Sequence, residues 1–277
     1  MKAFKRARRQ WRSHPLWSQY ISPLGKIYLN VVPWLDILTM LAWGVLFLKY
    51  FVIGRLQLLI HPNYFALVLA AGIVLVVIAG VNTWNQVSEK QGKIPPLTAA
   101  ETQHLTLFPP GVATSLLLIV ALSGFIIPPK ILASDTALQR GLSETLPYTR
   151  TEAQTFYSAI KPEERSLLDW VRTFNAYPEP DAYRGQPANV TGFVVHSPTL
   201  SEEYILISRF VITCCAVDAY PVGLPVKLPP GTPRYEQDIW LEIQGEMTTE
   251  TFGEQRQLVI AAKNTQQIPT PSNPYEF

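Results

Sequence analysis

The sequence predicts a membrane α-helical N-terminal region with three spans, followed by a mainly β C-terminal domain. Three observations carry the prediction. Three long apolar stretches fall within the first 127 of 277 residues. Charge is divided: residues 1–129 hold 11 Lys/Arg against 3 Asp/Glu, a net of +8, whereas residues 130–277 hold 12 against 18, a net of −6. From about residue 188 onward, short apolar runs alternate with turn residues. Only 16% of the chain is charged, against about 25% in an average soluble domain. Composition excludes a disordered chain and a disulfide-dense miniprotein.

The apolar stretches are 34–53, 64–81 and 111–127, of 20, 18 and 17 residues. A bilayer core of about 30 Å takes roughly 20 helical residues, with about 17 to 25 tolerated. Soluble helices rarely run this long without a polar face. The first stretch carries Asp36 and Lys49 near its ends, where long side chains snorkel to the interface. The other two carry no charge. Trp34, Trp43, Tyr64 and Trp84, with Trp11 and Trp17 before them, suit interfacial positions.

Lys2, Lys5, Arg6, Arg8, Arg9 and Arg12 make the region 1–33 basic. Beside membrane spans, positive charge marks the cytoplasmic side, and an apolar stretch beginning this late does not resemble a cleavable signal. Three crossings then place the loop 54–63 and everything after Pro128 outside. Residues 128–150 read as a polar linker. The exposed α+β domain takes 151–277, with a short helix over 151–159 and another from Lys161, whose buried stripe is Leu167, Leu168, Val171 and Phe174. Strands are expected at 188–195, 204–215, 222–228, 238–248 and 257–263. In the fourth, Ile239, Leu241 and Ile243 alternate with Trp240, Glu242 and Gln244. Five short strands in about 80 residues fit an OB-like five-stranded barrel with a preceding helix. A small sandwich is the alternative.

The OB-like barrel often binds oligonucleotides, but an acidic domain outside the cell lacks attraction for phosphate, so no nucleic acid is expected. Hydrolase and phosphate-binding motifs are missing from the sequence, and no enzyme is expected.

Cys214 and Cys215 are the two cysteines. At the end of the second strand, alternation puts them on opposite faces, Cys214 inward with Phe210 and Ile212, Cys215 outward. Three readings compete. The thiols are small core residues; or a thiolate, Asp218 and His196 gather around a cation such as zinc; or the pair does redox chemistry, without the Cys-x-x-Cys spacing that tunes a dithiol. His61, before Pro62 and the second span, is an interfacial polar group or a transient metal contact.

The string Arg209-Phe210-Val211-Ile212-Thr213-Cys214-Cys215-Ala216-Val217-Asp218-Ala219 continues into Pro221-Val222-Gly223-Leu224-Pro225-Val226. With Gly192-Phe193-Val194, the ending Ile268 to Phe277, and His61-Pro62, it resembles the YcgQ-like family of two-component permease subunits. The resemblance runs from about residue 166 to the end, and more loosely over the membrane region. Val217 stands where the family pattern often has Ala, and Phe277 where it ends in Tyr. The resemblance implies an accessory subunit in the cell membrane, paired with a polytopic permease partner. Its β-domain would receive or gate a solute. A divalent metal is one cargo, which suits Cys214, Cys215 and Asp218. The rival expectation is an assembly protein of a membrane complex, with packed, non-functional cysteines.

Overall fold

The computed structural model describes residues 15–91, 111–142, 160–197, 200–252 and 255–277. The chain forms two compact units: Met1–Gly54 with Tyr64–Pro128, and Arg55–Asn63 with Pro129–Phe277. The basic cluster before residue 15, most of the loop 82–110 and the expected helix 151–159 lie outside the described residues.

Among the described residues, the first unit contains three helices, α1 (Pro15–Val52), α2 (Phe65–Lys90) and α3 (Val112–Ile126). Two segments, Val31–Val52 and Pro62–Glu89, are long and apolar enough to cross a membrane. At 15 residues α3 is shorter, about 22 Å at 1.5 Å per residue. Helix α1 starts well before the expected boundary at residue 34, and Pro23 and Pro33 fall inside it.

Small residues bring α1 and α2 together. A Cβ on Gly44 would stand 2.8 Å from Val76 Cγ2 and 3.0 Å from the Gly72 carbonyl oxygen, so a larger residue there would push the helices apart. Met40 meets Asn82, and Gly72 meets Leu48, so the two helices run antiparallel. Helix α3 runs parallel to α1. Thr39 Oγ1 reaches the Thr114 carbonyl at 3.4 Å, Trp43 Nε1 donates to Leu117 O at 3.1 Å, and the Tyr50 hydroxyl donates to Gly124 O.

Both charges of the first apolar stretch have protein partners. Asp36 Oδ1 accepts from Thr114 Oγ1 at 2.6 Å, in the first turn of α3. Lys49 Nζ donates to the Phe125 carbonyl at 3.3 Å and lies 5.0 Å from the centroid of the Phe125 ring. An anion therefore sits at the N-terminal end of α3 and a cation at its C-terminal end, which complements the helix dipole. Snorkelling alone does not describe them.

The second unit is a mainly β domain with a six-stranded sheet. Its strands are β1 (Pro187–Val195), β2 (Tyr204–Val211), β3 (Tyr220–Lys227), β4 (Trp240–Phe252), β5 (Gln255–Ile268) and β6 (Tyr275–Glu276). The order is β1-β4-β5-β3-β2-β6, and β1 also pairs with β2. Strands β1 to β5 thus form a closed circuit of pairings, antiparallel except for β3 with β5. The circuit closes where Phe193 opposes Ser208. A Cβ on the preceding Gly192 would lie 2.6 Å from the Ser208 carbonyl oxygen, so a glycine is required at the closure.

Two smaller helices belong to this unit, α4 (Ser134–Gln139) and α5 (Leu167–Ala176). Helix α5 begins later than expected. Pro162–Glu164 makes a single 3-10 turn, and Ser166 then caps α5 through a reciprocal box with Asp169. Its expected stripe is buried, together with Trp170. This stripe packs on Val190, Val194, Ile207, Val222, Leu224 and Ile243 to form the main core.

A second cluster joins Phe193, Val195, Phe210, Ile212, Trp240 and Tyr275, with Ala137, Leu132 and Leu58 against it. The segment read as a linker therefore contains α4, whose Ser134 and Ala137 are buried. Ser134 N donates to Asp238 Oδ1 at 2.7 Å, and Leu132 N donates to the Tyr275 hydroxyl at 3.0 Å. Trp240, expected on the outward face of its strand, is buried in this second cluster.

Candidate functional site

Strand β2 stops at Val211, four residues short of the expected end. Its register with β3 finishes at Val211 opposite Tyr220, and Ile212 N donates at 3.0 Å to the Glu276 carbonyl in β6. Beta strand β6 is held by Arg209, whose Nη1 meets Glu276 Oε1 at 2.8 Å and whose Nη2 meets the Asn273 carbonyl at 2.7 Å. Burial pushes the Glu276 carboxyl above its ordinary value, against the lowering effect of Arg209. Residues 212–219 are then free to turn.

Asp218 organises that turn. Its Oδ2 accepts from Thr213 Oγ1 at 2.5 Å, and its Oδ1 accepts from Cys215 N at 3.0 Å. Asp218 N in turn donates to the Cys215 carbonyl at 3.0 Å. Such carboxylate-to-backbone bonds imitate a backbone turn and end a strand. Arg140, just after α4, closes the other side by donating to the Ala216 carbonyl at 3.3 Å and to the Ala219 carbonyl.

The third support comes from the connection between α1 and α2. Ile60 and Cys215 form an antiparallel bridge. His61 N donates to the Cys214 carbonyl at 3.0 Å, and Ala216 N donates to the Leu59 carbonyl at 2.8 Å. Leu56 is buried, and the Gln57 amide donates to the Ser272 carbonyl. The loop between the two long apolar helices is thus part of the β-domain.

These bonds change the expected placement of the thiols. Cys214 is exposed and Cys215 half-buried, the reverse of the strand-based expectation. The strand has ended before either cysteine, so the period-two placement on opposite faces does not apply to them. The adjacent Cys215 thiol, ahead of burial and the charge of Asp218, raises the Cys214 pKa. For Asp218, burial pushes upward, but the Thr213 hydroxyl and the N–H groups of Cys215, Cys214 and Thr213 outweigh it. The carboxyl is held below its ordinary value of 3.8.

The five residues expected to share a metal are only partly gathered. Cys214, Cys215 and Asp218 lie on one loop, with the backbone of His61 bonded to it. The His61 Nδ1 accepts from Asn63 N at 3.2 Å, and its ring stands 5.2 Å from that of Phe277. His196 Nε2 is 3.0 Å from the Tyr235 carbonyl. Among the described residues, no three His, Cys, Asp or Glu side chains are grouped so as to hold a metal ion. Arg140 and Thr213, which shape the loop, escaped the sequence reading. The Thr213 to Asp218 spacing around two small residues was the available signal for a turn.

Paired apolar helices joined to a β-domain with a braced dithiol loop define the class. The chain belongs to the DUF1980 family: residues 35–143 match the DUF1980 N-terminal domain and residues 148–277 the DUF1980 C-terminal domain. No curated protein and no solved structure matches it.

The depressed Asp218 carboxyl yields a pH prediction. A group whose pKa is lowered by folding stabilises the fold above its unfolded value and loses that effect as pH falls through the folded value. The difference in urea midpoint between the wild type and Asp218→Ala, measured on the full chain in detergent, should be constant above about pH 5 and shrink below about pH 4. A difference that grows in acid would refute the role given to this carboxylate.

Proposed function

We propose that this protein is an accessory subunit of a membrane permease, in which the β-domain receives or gates a solute, with a metal ion as the solute class. The observation that carries this reading is the bridge between Leu59–His61 and Cys214–Ala216. It ties the exposed thiol loop to the chain four residues before α2, so an event at the thiols acts on a segment continuous with two apolar helices. A complete carrier generally has repeated halves around a midplane site, and three spans fall below that. The YcgQ-like resemblance supplies the polytopic partner.

The circuit β1-β4-β5-β3-β2 is read here as an OB-like barrel preceded by a helix, α5. The membrane region is read as three spans, 34–53, 64–81 and 111–127. Chain continuity supports the third. Residues 55–63 and 129–277 form one compact unit, which occupies one side of a bilayer. Between Asn63 and Pro129 the chain therefore crosses an even number of times, and α2 accounts for one crossing. The parallel register of α3 with residues 39–50 of α1 supplies the other. With the basic N-terminus inside, the β-domain lies outside.

Two measurements test this reading. In a Cys214→Ser/Cys215→Ser background, introduced cysteines at Asn63 and Glu202 should both label with an impermeant maleimide in intact cells. A cysteine at Gln91 should label only after permeabilisation. Opposite accessibility of Asn63 and Glu202 would refute the three-span reading. Mild-detergent purification of the tagged protein should recover a polytopic membrane protein at near-stoichiometric yield; isolation as a stable lone species would refute the subunit reading.

A further inference from the structure

The dithiol loop is more firmly built than a surface turn requires. Between Cys214 and Ala216, the Cys214 and Cys215 carbonyls, the Cys215 and Ala216 N–H groups and the Ala216 carbonyl all have partners. The partners come from three separate parts of the domain: the 59–61 segment, Asp218 and Arg140. Such bracing holds side chains in place before a ligand arrives, which lowers the entropic cost of binding. The side chains it holds in this case are two neighbouring thiols, one exposed and one half-buried.

We propose that Cys214 and Cys215 together form a two-thiolate site for a soft, low-coordinate monovalent cation of the cuprous class, in preference to zinc. This rests on the metal-ion reading above and names the ion. Structural zinc takes four ligands in tetrahedral array, and catalytic zinc takes three protein ligands. Here the nearest carboxylate is occupied, with both Asp218 oxygens serving the loop. The imidazoles are held elsewhere, His61 by Asn63 and Phe277, and His196 by the Tyr235 carbonyl. A soft d10 cation is selected by thiolate ligands and does not demand the missing donors.

Binding forms two S–Cu bonds, releases two thiol protons to solvent and leaves the copper in its cuprous state throughout. The product carries one net negative charge. The Asp218 carboxylate, which accepts from the Cys215 N–H, places negative charge beside the pair and attracts a cation.

The test uses the full-length reduced protein in detergent, without oxygen. Cuprous ion is titrated against a coloured cuprous chelator, and zinc in parallel against a zinc-responsive dye. One equivalent of cuprous ion per chain should be withdrawn from the chelator, with thiolate-to-copper absorption in the ultraviolet. Cys214→Ser and Cys215→Ser should each weaken binding by more than the roughly 10–100-fold that loss of an outer-shell partner costs. His61→Ala and His196→Ala should leave it unchanged, with circular dichroism checking that each variant is folded. Zinc bound in preference, and lost in a histidine variant, would overturn the cuprous inference while keeping the metal-ion reading. Binding of neither ion would overturn both.

Discussion

The β-domain is tied to the connection between α1 and α2 by a short antiparallel bridge. Two backbone hydrogen bonds, from His61 N to Cys214 O and from Ala216 N to Leu59 O, join segments more than 150 residues apart in sequence. Each is of the ordinary amide–carbonyl kind, with a net worth of about 0.5–1.5 kcal/mol. Their importance is topological. They make the connection between α1 and α2 a structural part of the β-domain, and they fix the carbonyl of one cysteine and the N–H of the residue after the other. Leu56 and Leu58 strengthen the attachment by apolar burial.

Much of the domain follows from patterns that a sequence displays openly. All five strands were legible because turn residues separate them and because each carries a continuous or alternating apolar set. The sixth, Tyr275–Glu276, is two residues long, too short to show any period. It forms because Arg209 and the edge of β2 hold it. The stripe of α5 was legible, whereas its first residue was misplaced by Pro162. Proline and two glutamates favour a first turn anywhere, but the capping box at Ser166 and Asp169 decides the boundary. The apolar helices were legible by length, although prolines concealed the early start of α1.

The site was legible in its residue types and illegible in its geometry. Alternation is a rule for strands, and it fails across Thr213, Cys214 and Cys215, where the strand has already ended and Asp218 shapes the turn. A side-chain carboxylate bonded to its neighbours' N–H groups competes with the ladder, and that competition is invisible to a period-two pattern. The same is true of His61. Its position before Pro62 is plain in the sequence, but only folding brings its backbone to Cys214. His61 contributes a backbone donor to the loop, a role that residue type alone does not disclose. The divided charge also gains a physical setting, since Asp36 and Lys49, the exceptions inside the first apolar stretch, complement the two ends of α3.

The bridge can be trapped covalently. Ile60 and Cys215 are directly opposed, and the flanking hydrogen bonds make theirs a non-hydrogen-bonded pair, the type with the closer Cα spacing of about 4.5 Å. In a Cys214→Ser background, Ile60→Cys should form a disulfide with Cys215 under mild oxidation, detected by mass spectrometry as a peptide linking the two segments. Formation in nearly every chain, with the fold retained, is the predicted result. A folded protein in which both thiols stay free would contradict the placement of the helix connection in the β-domain.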